Sequence, residues 1–432
     1  MRPRSASLLL LLLTTWLLAP AQDPRSNEPK QRAKAARELG KQGSQSIPQL
    51  RALLTDPILD VRLEAVKSIV EIGTQQSLDP LVQATRDADA EVQIRATDGL
   101  VNFYLPGYVK TGLTASIKRV GSAIKGKFTD TNDIVIATYI QVRPDVIEAL
   151  GKLLRGGDSP EARANAARAI GILRGRAAVP DLIEALRSKQ DLTLYESLIA
   201  LQKIRDPASA KRITFLLRDP DEKVQVAALE TAGLLGNREA LPDLREALDR
   251  AHSNHVRRAA LTAIAMLPEE ANRQLYAKYL QDRDDGLRGA AAEGYARLKN
   301  AGDLPLLETA FNEERKLSPR LSQAFALVML GKTELAEFSP LQYLVNTLNS
   351  SARRGESRAL LIEVARRKDV RASLEKFLPR GTREEKLYLA QILAVSGDKD
   401  TLPALEGLSN DTDTEVAQEA MRAMRTLKAR LP

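Results

Sequence analysis

A phrase of about 31 residues returns down nearly the whole chain, and a repeat of that period selects a stacked array before any chemistry is considered. The first clear copy reads Ile47-Pro48-x-Leu50-x-x-Leu53-Leu54-x-Asp56, then Val61-Arg62-x-x-Ala65-x-x-x-Ile69, and closes at Gly73. The opening position recurs at Leu78, Val179, Ala210 and Leu241. A chain of 432 residues is too long for one compact core, and the repeat favours an extended array over several separate cores. Hydrophobic residues make up 44% of the sequence and aromatics only 4%, so Ala and Leu carry most of the apolar packing. Close-packed helices accept that composition; a sheet would draw on Val, Ile, Thr and aromatics.

Each copy resolves into two helices. The first opens near a proline (Pro48, Pro180, Pro242, Pro305, Pro403), which is tolerated in an opening turn because its missing N–H has no intrahelical partner there anyway. A polar turn with Asp follows, as at Asp56-Pro57, Asp87-Ala88-Asp89, Asp219-Pro220-Asp221 and Asn410-Asp411, where a carboxylate can cap the second helix. The second helix carries an apolar anchor and a small residue four positions on: Val61/Ala65, Val92/Ala96, Ala162/Ala166, Val224/Ala228, Val256/Ala260, Leu287/Ala291 and Val416/Ala420. Spacing of four puts both on one face, and the alanine lets the next helix approach closely. Gly40, Gly73, Gly171, Gly236, Gly331 and Gly397 read as C-terminal caps of second helices.

This pattern resembles the HEAT family of α-solenoids, in particular the short bacterial form named after phycobilin lyases. Ankyrin's T-P-L-H and the aromatic signature of tetratricopeptide repeats are both missing. The resemblance implies an all-α, right-handed solenoid of about eleven antiparallel helix pairs with one non-repeat insertion. It also implies an Asp in the turn and an Arg six positions on that link neighbouring repeats. Asp56 with Arg62 and Asp282 with Arg288 fit; Asp219 is followed by Gln225 and Asp411 by Ala417, so the ladder reads as patchy.

The ends and one interior stretch depart from the phrase. Arg2 and Arg4, the apolar run Leu8 to Leu18 and Ala19-Pro20-Ala21 read as a signal peptide, residues 1–21, cleaved before Gln22. Its loss lowers the formal charge from +8 to +6 and predicts an exported protein, periplasmic or secreted. Residues 22–30 read as a disordered start, 31–104 as N-terminal repeats, 105–145 as a basic insertion and 146–432 as the main array. Arg32 to Leu39 reads as a lone capping helix, and 333–380 as degenerate helix pairs. Within the insertion, Val109, Leu113, Ile117, Val120 and Ile124 form one stripe of an amphipathic helix. Tyr108, Lys110, Lys118, Arg119, Lys125 and Lys127 are the candidate partner-binding residues, for a protein or an anionic membrane surface. Ile134 to Val142 reads as a short strand or a last helical turn.

Catalytic patterns are nearly absent. With no cysteine, thiol chemistry and thiolate metal sites are excluded, and the two histidines, His252 and His255, sit together in one turn. No phosphate loop, dinucleotide fingerprint or nucleophile elbow occurs. No catalytic, cofactor or metal residues are assigned. Arg62, Arg163, Arg257 and Arg288 mark one face, but Gln93, Gln225 and Ala417 interrupt them, so nucleic acid is not the expected partner. The sequence therefore points to a non-enzymatic scaffold for a protein or peptide. A membrane adaptor and a lyase-like enzyme are the alternatives.

Overall fold

A computed structural model describes residues 23–110, 118–119 and 134–431, with the backbone alone at 110, 118 and 119. The signal segment and most of the insertion, Lys125 and Lys127 included, lie outside the described residues. A lone helix, α1 (Pro29–Gly40), is followed by helix pairs, with the 3-10 helix Pro207–Arg218 taking one first-helix place; counted so, eleven pairs follow α1 among the described residues. Residues 23–28, expected to be disordered, fold back on α1: Arg32 Nη1 donates to the Ser26 carbonyl at 2.8 Å. The irregular stretch after 333 does form helix pairs, α17 (Pro340–Thr347) with α18 (Arg354–Val364) and α19 (Lys368–Phe377) with α20 (Arg383–Ser396).

Successive second helices pack side by side: α3 (Leu59–Ile72), α5 (Ala90–Tyr104), α7 (Pro160–Ile172), α9 (Asp191–Ile204), α10 (Glu222–Leu234), α12 (Asn254–Ala265), α14 (Asp285–Leu298) and α16 (Leu317–Met329), then α18, α20 and α22 (Thr414–Lys428). The alanines read as the seam, Ala65, Ala96, Ala166, Ala228, Ala260, Ala291 and Ala420, are each fully buried at 0% exposure. Glycine takes the seam closer still. Gly171, read above as a cap, instead lies inside α7, and a Cβ there would stand 2.7 Å from the Ala200 Cα of α9. Gly73 does cap α3, in the left-handed region at φ 57° where a side chain would be strained.

The turn acids divide their work. The first Asp closes the turn, as where Asp56 Oδ1 accepts from Ile58 N at 2.9 Å and Asp411 Oδ1 from Asp413 N at 2.9 Å. The Asp two residues later caps the second helix: Asp89, Asp221 and Asp413 accept from the N–H groups of Val92, Val224 and Val416. The first Asp also receives the cation of the preceding repeat. Arg62 donates to both carboxylate oxygens of Asp87, at 2.8 and 3.0 Å, while its third nitrogen donates back to the Asp56 carbonyl at 3.0 Å. Arg288 spans to Glu314 (2.7 and 3.0 Å) and the Asp282 carbonyl (2.9 Å) in the same way. Gln93, which seemed to interrupt the series, keeps the rung. Its Nε2 donates to the Asp87 carbonyl (2.6 Å) and to Asp158 (2.8 Å), on the far side of the insertion.

The array is therefore continuous from one side of the insertion to the other. Where the insertion's residues are described, the expected helix is absent: Val109–Lys110 is extended and pairs antiparallel with Lys118–Arg119. The return segment, 134–143, is neither strand nor helix but runs across the array. Ile136 N donates to the Ile172 carbonyl at 3.0 Å, and Arg143 N donates to the Tyr104 hydroxyl at 3.1 Å. Midway, Thr138 Oγ1 reaches the Thr426 carbonyl of α22 at 3.5 Å, and the Arg425 guanidinium sits 5.8 Å from the centre of the Tyr139 ring.

Two predictions follow from the rungs and the seam. The hydrogen bonds from Arg32 (2.6 and 2.9 Å) hold the Asp56 carboxyl below its ordinary value, whereas burial pushes Asp219 up. Asp219 lacks its cation because Leu194 occupies, four residues past the N-cap of α9, the place Arg62 takes in α3. A depressed carboxyl contributes stability above the ordinary carboxylate pKa and loses it as pH falls through the folded value; a raised one does the opposite. Urea melts at neutral pH should show Asp56→Asn losing about 1–2 kcal/mol, a gap that closes in acid, and Asp219→Asn losing nothing or gaining up to about 1 kcal/mol. On the seam, Gly171→Ala should cost about 1–3 kcal/mol. Gly407→Ala, whose Cβ would meet nothing within 4 Å, should gain about 0.5–1 kcal/mol in the same melts.

Candidate partner-binding groove

The seam leaves one face of the second helices bare, and that face forms a groove of about 1110 Å³. Its wall runs from Arg205, just past α9, through α10, α12, α14 and α16 to Arg367, just past α18. Small residues such as Gly289 and Ala290 give it depth, and Leu234, Met266, Leu360 and Ile362 supply apolar surface.

One strut crosses the groove. Arg297 of α14 reaches two repeats on to Glu363 of α18 (2.9 and 2.7 Å), and also takes Glu293 at 3.1 Å. Its guanidinium lies 5.3 Å from the centre of the Phe325 ring. Burial works against the charge on Arg297, but Glu293 and Glu363 outweigh it and raise its pKa above the ordinary value. Glu293 further accepts from Ser322 Oγ at 3.0 Å. Glu230, one turn before the groove-lining Gly233 and Leu234, is half-buried, and burial pushes its pKa up.

Among the described candidates from the insertion, none lines this groove. Tyr108 is buried, 6% exposed, within the apolar core. Along the backbone of the short strand pair Lys110 is the partner of Lys118, and Val109 of Arg119. His252 and His255 lie outside the groove and exposed; His255 is the second residue of α12, not of the turn, with Nδ1 2.9 Å from Glu222 Oε1. Among the described residues, no group of three or more His, Cys, Asp or Glu is placed to hold a metal ion. Nor is any described helix long and apolar enough to cross a membrane.

The sequence reading passed over the groove residues. Arg205 and Arg366 share its wall although about 160 residues separate them. The available signal was modest: Arg174, Arg205, Arg366 and Arg430 each follow the end of a second helix by one or two residues.

A family model described as HEAT repeats matches residues 17–101, 147–214 and 209–296, together more than half of the chain. No curated protein sequence matches it. Among solved structures, an engineered protein is similar at 17% identity and TM-score 0.33, over 94% of this chain and 97% of that one. The complex of CpcE and CpcF of phycocyanin lyase from Nostoc sp. is similar at 19% identity and TM-score 0.33, over 69% of this chain and 92% of that one. Kap95p, from a structure concerned with its binding to RanGDP, is similar at 14% identity and TM-score 0.47, over 95% of this chain and 56% of that one.

Proposed function

Since the chain belongs to the HEAT-repeat family, we propose that it is an exported, non-enzymatic scaffold that binds a protein or peptide along its groove. The groove carries this reading. At about 1110 Å³ it is larger than the usual small-molecule pocket, and it is walled by the second helices of several repeats rather than closed around a point. Its mixture of small, apolar and charged residues suits an extended peptide with distributed weak contacts, the mode that stacked repeats support. Both of the chain's histidines lie away from it, which leaves no imidazole to act as a base there. Export is supported by the apolar run Leu8 to Leu18 and the small-residue site that follows it.

Site-specific photocrosslinking tests the surface. A photoreactive side chain at Ala359, in the groove wall, should capture a discrete protein partner; one at Phe215, exposed on a first-helix position, should not. Capture from Phe215 alone would sink the groove as the binding face. Mass spectrometry of the native protein should find the mature N-terminus at Gln22; an N-terminus at Met1 would refute export by cleavage.

A further inference from the structure

Many cations of the array are matched to carboxylates, and among the described residues four arginines at or near the groove are not. Arg205 and Arg366 line the same groove from opposite ends of its wall. Arg174 lies close enough to Arg205, and Arg430 close enough to Arg366, for like-charge repulsion to be felt. Arg205 and Arg366 repel each other as well. Burial first, and repulsion second, hold Arg174, Arg205 and Arg430 below the ordinary guanidinium value, and no carboxylate offsets it at any of the three. Among the described residues, Arg430 donates to a neutral acceptor, the Ala394 carbonyl at 2.7 Å.

The acids of the groove do not relieve this charge. Glu293 and Glu363 are committed to Arg297, Glu356 to Arg353 (2.7 Å) and Asp285 to Arg258 (3.3 Å). Glu230 is held toward its neutral form. Arg205 and Arg366 line the concavity with Arg174 and Arg430 near them, all four exposed to solvent and, among the described residues, without a carboxylate partner; guanidinium forks match carboxylates two bonds at a time.

We propose that Arg174, Arg205, Arg366 and Arg430 receive an acidic segment of the partner protein, its carboxylates held by these guanidiniums while its apolar side chains sit on Leu234, Met266 and Leu360. This rests on the reading of the groove as a protein-binding surface. A peptide fits better than a nucleic acid because the wall interleaves Leu234, Met266 and Leu360 with the arginines, and a phosphodiester chain carries no aliphatic side chains to cover them. A bilayer surface is too flat to enter a recess between helices.

Fluorescence anisotropy on the intact mature protein tests the assignment with a labelled peptide of alternating Glu and Leu and its Gln-for-Glu counterpart. The Glu peptide should bind at least about tenfold more tightly than the Gln peptide, and its binding should weaken with added salt. The double variant R205Q/R366Q should lose about tenfold in affinity, and R205K/R366K should retain most of it. R174Q/R430Q provides an independent pair should the first fold poorly; since these substitutions remove mutual repulsion, both should melt no lower than the native chain. Equal binding of the two peptides, unchanged binding by both Gln variants, or no binding of either peptide would overturn the proposal. Tighter binding of inorganic polyphosphate than of the Glu peptide would overturn the choice of occupant. In each of those cases crosslinking from Ala359 still decides independently whether the groove binds protein.

Discussion

The close approach of one second helix to the next is the constraint from which the rest of this protein follows. Fully buried alanines, and glycine at Gly171, remove the side-chain bulk that would hold neighbouring helices apart. With that separation set, the first helices are left on the outside and the turn acids of one repeat come within reach of the cations of the one before. The groove is the inner consequence: small residues that permit stacking, Gly289 and Ala290 among them, also leave depth along its wall.

The rungs are a second layer laid on that seam, and they tolerate substitution because they need a donor of the right reach more than a charge. Gln93 bridges two repeats with an amide where Arg62 uses a guanidinium. The array consequently passes the insertion without a break in register. At Asp219 the donor is gone and Leu194 packs in its place, so apolar burial and an ion pair stand as alternatives at equivalent positions.

What was legible in the sequence is what local spacing encodes. The anchor and alanine pairs and the prolines at helix starts (Pro48, Pro180, Pro242) act within a few residues and fall in their expected places, and Asp89 and Asp221 cap as expected; Asp56 and Asp411, read as caps, close the turn instead. Gly171 was misplaced because a glycine near a helix end serves equally as a cap or as a contact, and only the neighbouring helix distinguishes them. The stripe from Val109 onward had helical spacing, yet the backbone at Val109–Lys110 is extended. The position of Arg205 and Arg366 just after second helices was a faint local trace, but that they share one groove wall had none. That shared wall arises from small rotations summed over several repeats, and no window of sequence shorter than the array contains that sum.

Solenoids ordinarily behave as springs, since each unit touches only its neighbours and the free ends fray first. Here the segment 134–143 grips α7 through Ile136 and touches the last helix through Thr138 and Tyr139. Such a tie turns a spring into a hoop. Stretching the coil would have to break this clasp before the repeats between could separate, and the final helix, otherwise the first to come loose, is braced from outside its own stack. The span from α7 to α22 is thus bridged by a connection between parts of the chain that the repeat itself never brings together.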